Sequence, residues 1–125
     1  MTLAHSSVEL VQIAAEAADS KGGEDLVALD VSEPLPLVDA FLLVTGSSER
    51  NVAAIADEVE DRMLQAGVKR LRREGRSEAR WVLLDFGDLV VHVFHEEERT
   101  FYGLERLWKD CPVVPIQLTA ATPGD

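Results

Sequence analysis

Residues 81–95 read Trp81-Val82-Leu83-Leu84-Asp85-Phe86-Gly87-Asp88-Leu89-Val90-Val91-His92-Val93-Phe94-His95, two runs of branched and aromatic residues parted by Gly87-Asp88. Such residues fit a pleated, half-buried surface, and a two-residue loop that begins with glycine suits the positive φ that a type II′ turn demands at its first position. The stretch is therefore expected to form a β-hairpin, Trp81–Phe86 with Leu89–His95. Facing residues of an antiparallel pair share one side of the sheet, so the register can be counted outward from the turn. Phe86 then faces Leu89, Leu84 faces Val91 and Val82 faces Val93, an apolar side that helices must cover. The other side pairs Asp85 with Val90, Leu83 with His92 and Trp81 with Phe94. Aromatic rings beside a carboxylate and an imidazole have the composition of an interaction hot spot, whereas a core would be plainer. The plain alternative is that a third helix or the C-terminal segment covers this side, with Asp85 and His92 satisfying each other inside.

Upstream, Leu10, Val11, Ile13, Ala14, Ala17 and Ala18 recur at helical spacing between a capping Ser6 or Ser7 and the Gly22-Gly23 stop, which predicts a helix over Val8–Lys21. Leu26–Val31 and Ala40–Thr45 are short β-rich runs around a loop holding Pro34 and Pro36, and are expected as strands. A second helix should start at Ser47 or Ser48, keep Val52, Ile55, Ala56, Val59, Met63 and Leu64 in phase, and stop at Gly67. Val68–Arg72 is expected as a polar third strand before a Glu74-Gly75 turn. After the hairpin, Phe101, Leu104 and Trp108 share a helical face within Arg99–Lys109, a third helix. Past Asp110 come prolines and small polar residues, expected as a flexible tail. Helices interleaved with strands predict a single α/β domain over residues 1–110, with a mixed sheet of about five strands flanked by helices and a tail over 111–125. The connections are too few for a full doubly wound nucleotide-binding fold.

At 125 residues and 46% hydrophobic content the chain can bury one core. Neither a membrane-spanning run nor a basic, apolar leader is evident, and a single cysteine, Cys111, cannot form an internal disulfide; a cytoplasmic protein is expected. With 23 acidic and 12 basic residues the net charge is −11, which disfavours a general nucleic-acid binder and suits a cationic partner. Half the basic residues, Lys69, Arg70, Arg72, Arg73, Arg76 and Arg80, fall within residues 69–80. They offer a minor contact to RNA or, more simply, a charged edge that resists aggregation.

Catalytic arrangements find little support. Asp57, Glu58 and Glu60 lie on the second helix, where sequence neighbours diverge instead of converging on a pair of cations. Gly46-Ser47-Ser48 reads as a strand-to-helix junction with a capping hydroxyl. His92 and His95, three apart on a strand, point to opposite faces and cannot close on one metal. No nucleophile elbow accompanies Asp85 and His92. No cofactor, metal or catalytic residue is expected, and a nucleotide-handling enzyme is the alternative against which a binding protein is weighed.

Asp30, Asp39-Ala40-Phe41, Thr45-Gly46-Ser47-Ser48 with Arg50, Ala54-Ile55-Ala56-Asp57, Glu74-Gly75, Trp81 through Phe94, Arg99, Phe101-Tyr102 and Leu104-Glu105-Arg106-Leu107-Trp108 together resemble the ribosomal silencing factor (RsfS/Iojap) family. The resemblance runs from the first helix to Trp108. It implies a nucleotidyltransferase-like fold without that activity, and binding to the large ribosomal subunit through its protein number fourteen. The bound factor would obstruct subunit joining and repress translation under nutrient limitation. On this resemblance Trp81, Asp85, His92, Phe94, Arg99 and Tyr102 become the candidate contact residues. The mixed aromatic side, if wet, further suggests a homodimer in the free protein.

Overall fold

In a computed structural model, residues 5–35, 37–75, 80–97 and 110–118 are described. The chain order is α1 (His5–Ser20), β1 (Glu24–Asp30), β2 (Ala40–Gly46), α2 (Glu49–Gln65), β3 (Arg72–Gly75), β4 (Trp81–Asp85), β5 (Leu89–His95) and β6 (Val113–Val114). The six strands form one sheet in the order β3-β4-β5-β2-β1-β6. β2 and β5 run parallel at its centre, and the other pairings are antiparallel, so the expected mixed α/β sheet is present with one more strand than anticipated.

The hairpin register is the one counted from Gly87-Asp88: Trp81 opposite Phe94, Val82 opposite Val93, Leu83 opposite His92, Leu84 opposite Val91 and Asp85 opposite Val90. Gly87 takes φ +95°, the left-handed region that its lack of a Cβ permits. Phe86 N–H donates to the Leu89 carbonyl at 2.9 Å and closes the turn.

α1 and α2 pack side by side on one face. Val11, Ala14, Ala15 and Ala18 of α1 and Val52, Ile55, Val59 and Met63 of α2 bury against Leu42, Val44, Val82, Leu84, Val91 and Val93. The helical spacing of these residues places them on one stripe of each helix, and their burial is the main drive for the domain. α2 begins where the sequence signals it: Ser48 is extended, and its hydroxyl accepts from Asn51 N–H at 2.9 Å. It ends in a Schellman motif, with Gly67 at φ +85° donating to Leu64 and Val68 donating to Met63.

Three expectations change. Ser7 lies inside α1 and does not cap it; its buried hydroxyl donates to Asp39 Oδ2 at 2.6 Å, tying the helix to the start of β2. The third strand occupies Arg72–Gly75 and not Val68–Arg72, because Val68 is used to close the α2 cap and packs on the core. Beyond Asp110, where the sequence shows only prolines and small residues, Val113 and Val114 pair with Leu29 and Ala28 as an edge strand, so the described residues 111–118 are part of the sheet assembly. The expected third helix, Arg99–Lys109, lies outside the described residues.

Candidate functional site

The sheet side away from α1 and α2 is built in rows, because β4, β5, β2 and β1 lie next to one another. One row runs Leu83, His92, Leu43, Val27; a second runs Asp85, Val90, Phe41, Leu29; a third runs Trp81, Phe94, Thr45. Leu29, Val31, Phe41, Leu43, Val90 and Phe94 form a second apolar cluster there, with Val38, Trp81, Leu83 and Cys111 packed partly against it. This side is therefore a second, smaller core with an aromatic margin.

Of the six candidate residues, four are described and they share this side. Phe94 is 1% exposed and His92 6%, so both lie beneath the surface instead of on it. Trp81 and Asp85 are half-buried and form the margin. Arg99 and Tyr102 lie outside the described residues. The Trp81 ring packs on Phe94 with centroids 5.0 Å apart, and its indole N–H donates to His92 Nδ1 at 3.3 Å. His92 in turn stacks on Phe94 at 5.9 Å and meets Phe41 in a T-shaped contact at 4.9 Å. Asp85 does not pair with His92; its Oδ1 accepts from Gly87 N–H at 2.8 Å and braces the hairpin turn.

Accepting from Trp81 fixes the tautomer of His92, with Nδ1 unprotonated and the proton on Nε2. His92 Nε2 is buried with no hydrogen-bond partner among the described residues. Burial pushes the imidazole pKa down to about 4, because it strips solvent from the charged form. His92 is thus a neutral acceptor at neutral pH, and it holds the indole edge in one orientation. Phe41, which sequence analysis placed only in a strand, is the floor under His92. Its role depends on the parallel β2–β5 register, which no local pattern announces.

Most of the described arginines are engaged by carboxylates. Arg73, opposite Leu84 and therefore on the helix side, reaches Asp57 at 3.0 Å and Glu60 at 2.9 Å on α2. Burial works to lower its pKa, but hydrogen bonds and charge from Asp57 and Glu60 prevail and raise it. Arg70 pairs with Glu60, Arg72 with Glu74, and Arg80 with both Glu49 and Glu97. Glu58 holds Arg62 at 2.7 Å. The α2 carboxylates weighed as metal ligands are thus engaged by guanidinium groups, and no acidic, histidine or cysteine cluster able to hold a metal occurs among the described residues. Cys111 lies beside Asp30, Glu33 and Asp110; burial first, then these carboxylates, push its thiol pKa up, away from a reactive thiolate.

The family model for the ribosomal silencing factor during starvation, RsfS, matches residues 4–124. This chain belongs to the RsfS family. The ribosomal silencing factor of Halalkalibacterium halodurans is 46% identical over 112 residues, covering 90% of this chain and 96% of that one. The Bacillus subtilis silencing factor is 46% identical over 107 residues, covering 86% and 91%. A crystal structure of a Chromobacterium violaceum protein superposes with a TM-score of 0.79 at 38% identity, covering 81% of this chain and 84% of that one. RsfS relatives carry the name of a regulatory factor and not of an enzyme, which agrees with the engaged carboxylates of α2. Among the described residues no helix is long and apolar enough to cross a membrane.

Proposed function

We propose that this RsfS-family chain is a cytoplasmic repressor of translation that docks on the large ribosomal subunit through its protein number fourteen and obstructs arrival of the small subunit. The match to the silencing-factor model over residues 4–124 carries the reading. Obstruction requires no chemistry, only an interface of roughly 1,200–2,000 Å² placed where the second subunit must land. A net charge of −11 favours fast, oriented encounter with a basic ribosomal protein.

In this reading Trp81 and Asp85 make the contact from the margin of the second core, with Leu83 beside them. His92 and Phe94 act from below by holding the indole. Arg99 and Tyr102, outside the described residues, complete the proposed set of contacts. A rigid aromatic anchor loses little rotamer freedom on binding, and the bond to His92 removes part of that loss in advance. Contact between Lys69–Arg80 and ribosomal RNA is the minor component, because Arg70, Arg72, Arg73 and Arg80 would have to exchange intramolecular partners for phosphates. Self-association of the free chain would use the Trp81–Leu83 strip, and a monomer mass in light scattering at high concentration would remove that element.

Subunit joining followed by light scattering tests the main proposal. Pre-incubation of purified large subunits with the chain should lower the extent of joining in proportion to occupancy. Unchanged joining at saturating chain concentration would overturn it.

A further inference from the structure

The β4–β5 ladder runs one rung past Trp81, where His95 N–H donates to the Arg80 carbonyl at 2.8 Å. Alternation then puts the Arg80 side chain on the helix side, in line with Val82 and Leu84. From there its guanidinium reaches two separate segments. Nη1 donates to Oε2 of Glu49, the first residue of α2, at 3.2 Å, and Nη2 donates to Oε1 of Glu97, two residues past β5, at 2.7 Å. Glu97 N–H donates in turn to His95 Nδ1 at 3.2 Å, so the chain leaving β5 is tied both to the end of its strand and to Arg80.

We infer that Arg80 is a positioning residue for docking: by holding Glu49 and Glu97 at once, it fixes where the chain leaves β5 relative to Trp81. The inference rests on the docking reading above, in which Trp81 follows Arg80 directly and the remaining contacts, Arg99 and Tyr102, come two and five residues after Glu97 in sequence. Trp81 is then constrained at two points, its main chain by the Arg80–His95 rung and its indole by His92. Constraint of this kind lowers the ordering cost of binding.

The residue type matters. A guanidinium is a planar fork whose nitrogens can serve two carboxylates together, whereas the ammonium of lysine is a point charge on a flexible stem. The Arg80 side chain is 33% exposed, and Glu49 and Glu97 are more open still, so these pairs add little to global stability. Bonds of that strength still decide between two orientations of a short segment, and orientation is what a docking surface presents. The other use of Arg80, a contact with an RNA phosphate, requires it to leave both carboxylates, and the two uses respond differently to substitution.

The test measures affinity of the full chain for the isolated large-subunit protein number fourteen, at a temperature where melting shows every variant folded. Arg80→Lys keeps the charge and loses the fork, Arg80→Gln loses both, and Glu97→Gln removes one partner. Each should bind about fivefold more weakly than wild type, close to the most that partly exposed ion pairs can impose, with little change in melting midpoint. Arg80→Gln combined with Glu97→Gln should bind no more weakly than Arg80→Gln alone, because the two residues act through one bond. Asp61→Asn, at the other end of α2, removes a negative charge without touching Arg80 and should bind as wild type does. Wild-type affinity in Arg80→Lys, or a loss in Glu97→Gln no larger than that in Asp61→Asn, would overturn the inference and leave the docking reading standing. Weakening confined to whole large subunits and to the Arg80 variants would overturn it in favour of an RNA contact. Failure of the wild type to bind protein number fourteen would remove the docking reading and the inference together.

Discussion

The two sides of the β4–β5 hairpin are made from the same fifteen residues and do different things. The side carrying Val82, Leu84, Val91 and Val93 is packed against α1 and α2, and these four side chains belong to the main apolar core. The side carrying Trp81, Leu83, Asp85, His92 and Phe94 buries its middle and keeps a half-open margin, with a neutral imidazole in between. The contrast teaches that a polar residue among aromatics marks a contact surface only when burial agrees. His92 and Phe94 have the right composition but lie buried, and in the proposed function they act through Trp81.

The comparison breaks if the two sides differ in how much they stabilise the fold. Phe94→Ala should cost about 3–5 kcal/mol and Leu84→Ala about 2–5 kcal/mol, both read from denaturant midpoints, since each leaves a cavity in a closed core. A loss below about 1 kcal/mol at Phe94 would mean that its side is a surface after all.

His92 sharpens the contrast through pH. Its folded pKa, about 4, lies below the usual 6.5, so the unfolded chain binds more protons between these values and stability rises with pH there. The contribution is complete above pH 6.5 and is lost as pH falls to about 4, a swing of about 3 kcal/mol. His92→Phe should flatten that part of the stability profile, and an unchanged slope would contradict a buried neutral imidazole.

Smaller effects belong to the margin and to the edge. Trp81→Ala should cost about 1–2 kcal/mol, because the ring is only half-buried. Arg73→Gln should cost at most about 1 kcal/mol and the loss should shrink with added salt, as expected of partly screened pairs with Asp57 and Glu60. A salt-independent loss of several kcal/mol would assign Arg73 a packing role instead.

How far the sequence could be read follows from where its signals are local. The Gly87-Asp88 turn and the strict alternation on both flanks set the hairpin register, since a slip of one residue would expose one whole apolar set. Apolar periodicity found α1 and α2, and Ser48 and Gly67 marked the bounds of α2. β3 was displaced because a charged edge strand has no alternation to anchor it. β6 was missed because two residues between prolines carry no strand signal, and its partner lies more than eighty residues away in sequence. At the site, the sequence brought Trp81, Asp85, His92 and Phe94 to one side, because that depends on register alone. Depth depends on which elements cover the side, and the parallel β2–β5 pairing that sets Phe41 under His92 leaves no trace in either strand.

The central claim is that Trp81, held by His92 over Phe94, anchors the chain to the ribosome. Affinity of wild type and Trp81→Ala for the isolated large-subunit protein number fourteen, measured beside their thermal melting, tests it most directly. The account predicts a loss of at least about tenfold in affinity, more than 1.4 kcal/mol, with the variant still cooperatively folded at the temperature of the titration. Equal affinity of the two folded chains would contradict it.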